Sequence, residues 1–136
     1  MGAAPEISTD RDRIDRELVH RFLSEESYWA RSRTREENDR IIDASLCFGV
    51  FEDGRQLAHA RVLTDTVAFA YLGDVFVVPE ARGRGLGKAL MEAVFAHPHV
   101  RGVRRVALVT DDAHGLYERY GFQPLDDVRK WMQRRP

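Results

Sequence analysis

Residues Pro79 to Leu90 read PEARGRGLGKAL: three glycines set among two arginines and a leucine, running directly into a helical stripe. Leu86, Leu90, Met91, Val94 and Phe95 recur at the spacing of one helix face. The first turn of a helix leaves N–H groups unpaired and carries partial positive charge. Glycines ahead of it let a ligand approach the backbone closely, and Arg82 and Arg84 add charge-assisted donors. The stretch is therefore expected to cradle a phosphate or diphosphate. A plain strand-to-helix turn has little need of so many bare and basic positions.

Two phosphate motifs are excluded on residues. A P-loop needs glycine where Arg82 stands and Ser or Thr where Ala89 stands. A dinucleotide fingerprint needs a third glycine where Lys88 or Leu90 stands, after a strand near the start of a parallel sheet.

Working outward, the apolar run from Val67 to Val78, stopped by Pro79, predicts a central strand. Before it, Leu46–Phe51 and Leu57–Leu63 flank Glu52-Asp53-Gly54-Arg55, a hairpin signal because Asp-Gly tolerates positive φ. Two helices are predicted earlier. One carries Ile14, Leu18, Val19, Phe22 and Leu23 behind a capping box at Thr9 and Asp12; the other carries Ile41 and Ile42 behind Thr34 and Glu37. Residues 1–8 read as a loose end. After the glycine segment and its helix, His97-Pro98-His99 reads as an exposed loop; then come a β-branched strand at Val106–Val109, a helix with Ala113, Leu116, Tyr117 and Tyr120 ended by Gly121, and two last strands at Phe122–Pro124 and Val128–Met132.

Residues 82–87, Arg-Gly-Arg-Gly-Leu-Gly, resemble the acetyl-CoA signature Gln/Arg-x-x-Gly-x-Gly/Ala of the GNAT N-acetyltransferase superfamily. The flanks resemble it too. Asp74-Val75-Phe76-Val77-Val78-Pro79-Glu80 is similar to the family's fourth strand, and Thr110 to Phe122, with Tyr120-Gly121-Phe122 at its end, to the stretch after its fifth. The resemblance is sharp over residues 72–122 and looser, though compatible, over 9–71. It implies one α/β (α+β) domain over 1–136, with a mixed central sheet of about six to seven strands flanked by about four helices.

It also implies an acetyl-CoA-dependent N-acetyltransferase acting on a primary amine by direct attack in a ternary complex. Backbone amides of Arg82, Gly83, Arg84, Gly85, Leu86, Gly87 and Lys88 would hold the diphosphate, and the pantetheine arm would lie along Phe76, Val77 and Val78. Tyr117 is the implied general acid, against a core aromatic as the plain alternative. Asp74 is the candidate base, an acid in an apolar run where burial should raise its pKa. His59 is a second candidate, and a paired structural role is as good a reading for either. The implied acceptor site takes in Ser27, Tyr28, Trp29, Arg31, Arg33, Tyr71 and Trp131. The arginines there suit an acidic acceptor. A non-catalytic acyl-CoA-binding sensor of the same fold is the alternative function.

Composition restricts the partners. With 21 basic against 22 acidic residues in 136, no global field attracts nucleic acid or anionic lipid. The lone Cys47 sits in an apolar run and is read as a buried, inert thiol; no metal cluster is expected. The N-terminus lacks an apolar h-region and no run could span a bilayer, so a cytoplasmic enzyme of small-molecule amines is the expectation, with a homodimer left open through the C-terminal strands.

Overall fold

The structure is a computed structural model and describes residues 4–136; the first three positions of the expected loose end lie outside the described residues. Its sheet has five strands in the order β1-β2-β3-β4-β5. These are β1 (Glu6–Ser8), β2 (Leu46–Glu52), β3 (Arg55–Thr64), β4 (Phe69–Val77) and β5 (Arg105–Ala107). The helices are α1 (Arg16–Glu26), α2 (Arg35–Asp43), α3 (Leu86–Ala96), α4 (Pro98–Arg101) and α5 (His114–Glu118). The first four strands pair antiparallel and β5 joins β4 in parallel, giving a mixed α/β sheet.

Local signals set several boundaries. Asp53 and Gly54 both take positive φ, at 52° and 78°, and close the β2–β3 hairpin. Thr34 and Glu37 form the expected reciprocal capping box on α2. α1 is capped by Asp15, which accepts from Leu18 N–H; the box expected at Thr9 gives way to a 3-10 turn capped by Asp10. β4 starts two residues later than expected because the Asp65 carboxylate collects the N–H groups of Val67, Ala68 and Phe69 into a tight turn.

Three expectations are corrected. Residues 6–8 are a strand, with Ile7 opposite Val50 and packed against the core, so this part of the expected loose end is an edge strand. The two C-terminal strands do not form, which lowers the strand count to five. Pro124 has no N–H to donate, and Val128–Lys130 closes a 3-10 turn instead. The expected loop at His97–His99 holds α4, with Pro98 in the first helical turn and the His97 side chain accepting from His99 N–H.

Consecutive residues of β4 show how the layers are arranged. Phe76 stacks on Phe22 of α1 at 4.0 Å between ring centroids. Val77 faces α3, where a Cβ on Gly87 would lie 3.7 Å from it. Successive strand residues point to opposite faces, so α1 and α3 cover opposite sides of the sheet. The core they enclose includes Leu23, Ile42, Phe48, Leu90, Met91 and Val94, all nearly solvent-free.

Candidate active site

The glycine turn has the geometry its composition suggests. Gly83 and Gly85 take φ of 80° and 77°, a region that costs an L-residue about 1–2 kcal/mol. A Cβ on either would meet no atom within 4 Å, so backbone conformation, not space, selects glycine. Gly85 caps α3 without a side-chain bond, and no amide from Gly83 to Lys88 finds an acceptor among the described residues. Six successive N–H groups therefore have no protein acceptor at the positive end of a helix whose other face is buried.

The arginines around this turn are partly committed. Arg84 forms a bidentate pair with Glu52 at the end of β2, and its hydrogen bonds hold the Glu52 carboxyl below the usual range. Arg82 donates Nε–H to the Val77 carbonyl at 3.1 Å, which ties the turn to β4. Lys88 is exposed.

Behind the turn the sheet opens. β4 and β5 pair only at Phe69↔Arg105, Ala70↔Val106 and Tyr71↔Ala107. Residues 72–77 run on without a β5 partner. Val78 N–H donates to Leu57 O on β3, so by antiparallel alternation the N–H and C=O of Val77 point the other way, into the gap.

Two neighbouring aromatics in the α1–α2 connection straddle that gap. Trp29 Nε1–H donates to Asp74 Oδ1 on β4 at 2.9 Å. The Tyr28 hydroxyl accepts from Asp111 N–H, beyond β5, also at 2.9 Å. Their rings meet edge to face at 5.0 Å, and both stay about half exposed.

Asp74 anchors this arrangement. It sits at a bulge where the β3–β4 register slips between His59 and Arg61, and it takes φ of 53°, which Asp tolerates better than most residues. The bulge turns its carboxylate onto the face that carries Arg61. Oδ2 accepts from Arg33 Nη1 at 2.6 Å and from Arg61 Nε at 2.7 Å. Burial acts most strongly on the group and acts upward, but the hydrogen bonds and charges of Arg33 and Arg61 together outweigh it and hold the carboxyl below its usual range. This corrects the expected upward shift: the residue is buried, but it is not left unpaired.

The other candidates fall around the same opening. Tyr71 lies on β4 beneath Arg61, whose guanidinium is 5.8 Å from its ring centroid. Tyr117, on α5, is largely buried; desolvation and then the nearby Tyr28 and Asp112 push its phenol pKa up, so it stays protonated near neutral pH. Tyr71 and Tyr117 both line a cavity of roughly 810 Å³ between β5 and the C-terminal segment, together with Phe95, Leu108 and Trp131. The glycine-turn amides lie outside this cavity. Phe76 and Val78 are buried against α1 and the core, so only the backbone of this stretch reaches the gap.

His59 is enclosed. Burial pushes its pKa down to about 4, so the neutral imidazole sits inside the sheet with Nε2 unpaired and Phe76 alongside. Arg31 and Ser27 serve the α1–α2 connection itself, through Arg31 Nε–H to Ser27 O and Ser27 Oγ–H to Leu23 O. Cys47 is buried, and desolvation raises its thiol pKa to about 11. Arg61 is the site residue that sequence reasoning missed. Its signal was an arginine two positions after His59 in an otherwise apolar strand, on the face that meets Asp74.

The comparisons agree with this architecture. The sequence profile of the Acetyltransferase (GNAT) family matches residues 14–122. A crystal structure from Xanthomonas campestris pv. campestris, described as belonging to the GNAT family, is 53% identical and superposes with a TM-score of 0.95, covering 98% of this chain and 94% of that one. A Gibberella zeae protein with an acetyltransferase designation is 28% identical over 82% of this chain and 74% of its own length. Serotonin N-acetyltransferase 2 of rice is 40% identical over 58% of this chain, which spans 40% of that protein. A Clostridium acetobutylicum structure that contains acetyl-CoA shares the fold at 17% identity, with a TM-score of 0.72 and coverage of 99% and 96%. With a glycine turn of open amides, a sheet parted at β4 and β5, and a family profile over most of its length, the chain belongs to the GNAT acetyltransferase family.

Proposed function

We propose that this protein is an acetyl-CoA-dependent N-acetyltransferase whose acceptor is a primary amine of a small molecule, built as a single domain. The observation that carries the reading is the run of unpartnered amides from Gly83 to Lys88 beside the unpaired edge of β4. The amides suit a diphosphate, and residues 72–77 offer the backbone edge along which a pantetheine arm can bond as an added strand. The cofactor supplies an acetyl thioester at the gap.

The chain's own groups then have distinct tasks. Val77 N–H, directed into the gap, is placed to polarise a carbonyl oxygen. Tyr117, kept neutral by its surroundings, holds a proton for the departing sulfur. Asp74 fixes Trp29 and Arg33 over the acceptor side, and with three donors on its carboxylate it acts as an organiser, not a base. The amine nitrogen enters neutral after losing a proton to solvent, forms the new C–N bond as the C–S bond breaks, and its remaining excess proton restores the Tyr117 phenol. Tyr28, Trp29 and Tyr71 form the walls the acceptor meets.

Thiol release from acetyl-CoA against a panel of amines tests this. The expected result is amine-dependent release, with Tyr117→Phe lowering kcat about 100-fold at little change in the KM for acetyl-CoA. Binding of CoA without release for any amine would contradict the enzyme and support an acyl-CoA sensor.

A further inference from the structure

Two guanidiniums converge on a single carboxylate in the acceptor half of the site. Arg33 and Arg61 each spend one N–H on the same oxygen of Asp74, while Trp29 occupies the other oxygen. A guanidinium carries five N–H donors, so four on each have no acceptor among the described side chains and backbone. The charge does not balance either, because one carboxylate faces two cations. Glu37 is close enough to feel Arg33, but its carboxylate is tied to the cap of α2 through Thr34 N–H at 2.9 Å.

Such an excess is unusual where it sits. The Arg61 and Arg33 side chains are only 12% and 20% exposed, and the two share one buried counter-charge between them. Arg61 also lies over Tyr71, which opens on the cavity shared with Tyr117. Neither arginine lines that cavity itself; the spare donors of Arg61 lie over Tyr71, one of the walls proposed for the acceptor.

We propose that the acceptor is an amine that also carries an anionic group, a carboxylate or a phosphate, and that Arg33 and Arg61 receive that group beside Trp29. This rests on the N-acetyltransferase reading and narrows its substrate class. A planar carboxylate or a phosphate accepts two parallel N–H bonds from a guanidinium fork, so the anion would both complete the charge balance and orient the amine. Asp74 holds each arginine by one edge and leaves the rest of its fork available.

The test compares matched acceptors with acetyl-CoA. L-Phenylalanine is paired with L-phenylalaninamide and β-alanine with β-alaninamide for the carboxylate arm. O-Phosphoethanolamine is paired with ethanolamine for the phosphate arm. The expected result is a kcat/KM at least tenfold higher for the anionic member of at least one pair, and the preferred arm names the anion. Arg33→Gln should shrink that ratio at least fivefold, mainly through KM for the anionic member, and Arg33→Lys should restore part of it. Because the readout is a ratio within one variant, a general loss of folding does not mimic it. Equal or better turnover of the neutral members would overturn this assignment and leave the acetyltransferase standing. No turnover of any amine, with CoA still bound, would overturn both.

Discussion

Trp29 Nε1 and Asp74 Oδ1 lie 2.9 Å apart across 45 residues of sequence, and this bond fastens the α1–α2 connection to the bulge in β4. Its neighbour Tyr28 reaches the segment beyond β5, so one dipeptide bridges the two strands that part below it. The walls proposed for the acceptor are thereby held by residues from both halves of the chain.

Removing the anchor should therefore be costly. Asp74→Asn leaves Arg33 and Arg61 half-buried without a counter-charge, and breaking such a pair costs about 3–5 kcal/mol. Trp29→Phe loses one hydrogen bond to a charged group, about 1.5 kcal/mol. Urea unfolding of the two variants should rank them in that order. The folded Asp74 pKa lies below its ordinary value of 3.8, so its contribution is present above that pH and is lost as pH falls below it.

His59 acts in a different pH window. Its pKa is about 4 in the fold against an ordinary 6.5, a difference worth about 3 kcal/mol. The unfolded chain binds the proton more readily, so this stability is complete above pH 6.5 and drains away as pH falls toward 4. The melting temperature of the wild type should drop through that range. In His59→Leu, which keeps the volume and removes the titration, the slope should flatten; an unchanged slope would show that another group is responsible.

Gly85 offers a matched pair of substitutions. Asn and Asp have the same shape and both tolerate the left-handed conformation at φ 77°. Gly85→Asn and Gly85→Asp should each cost the free protein about 1 kcal/mol. They should differ in CoA affinity, with Asp weaker by at least tenfold, because only it sets a negative charge among the open amides. Calorimetric titration reads the difference, and equal affinities would show that no anion sits there.

Much of this was legible wherever the signal is local. The hairpin at Asp53-Gly54 and the capping box at Thr34 and Glu37 each declare themselves within four residues of sequence, and the glycine turn within the six of Arg82–Gly87. What depends on distant partners was not legible. β1 is a strand because Ile7 finds Val50, a pairing that three residues cannot announce alone. Residues 128–132 read as a last strand, but no strand among the described residues pairs with them. Asp74 looked like an isolated buried acid, because the bulge that brings it to Arg61, and the loop that delivers Arg33 and Trp29, leave no mark in its own vicinity.

The central claim is that the amides opening α3 grip the diphosphate of acetyl-CoA. The most direct test is a titration of the isotope-labelled protein with CoA, following each backbone amide by two-dimensional NMR. The amide resonances from Gly83 to Lys88 should move furthest, followed by those at Val75–Val77. Binding that leaves the Gly83–Lys88 amides in place and shifts another surface would contradict it.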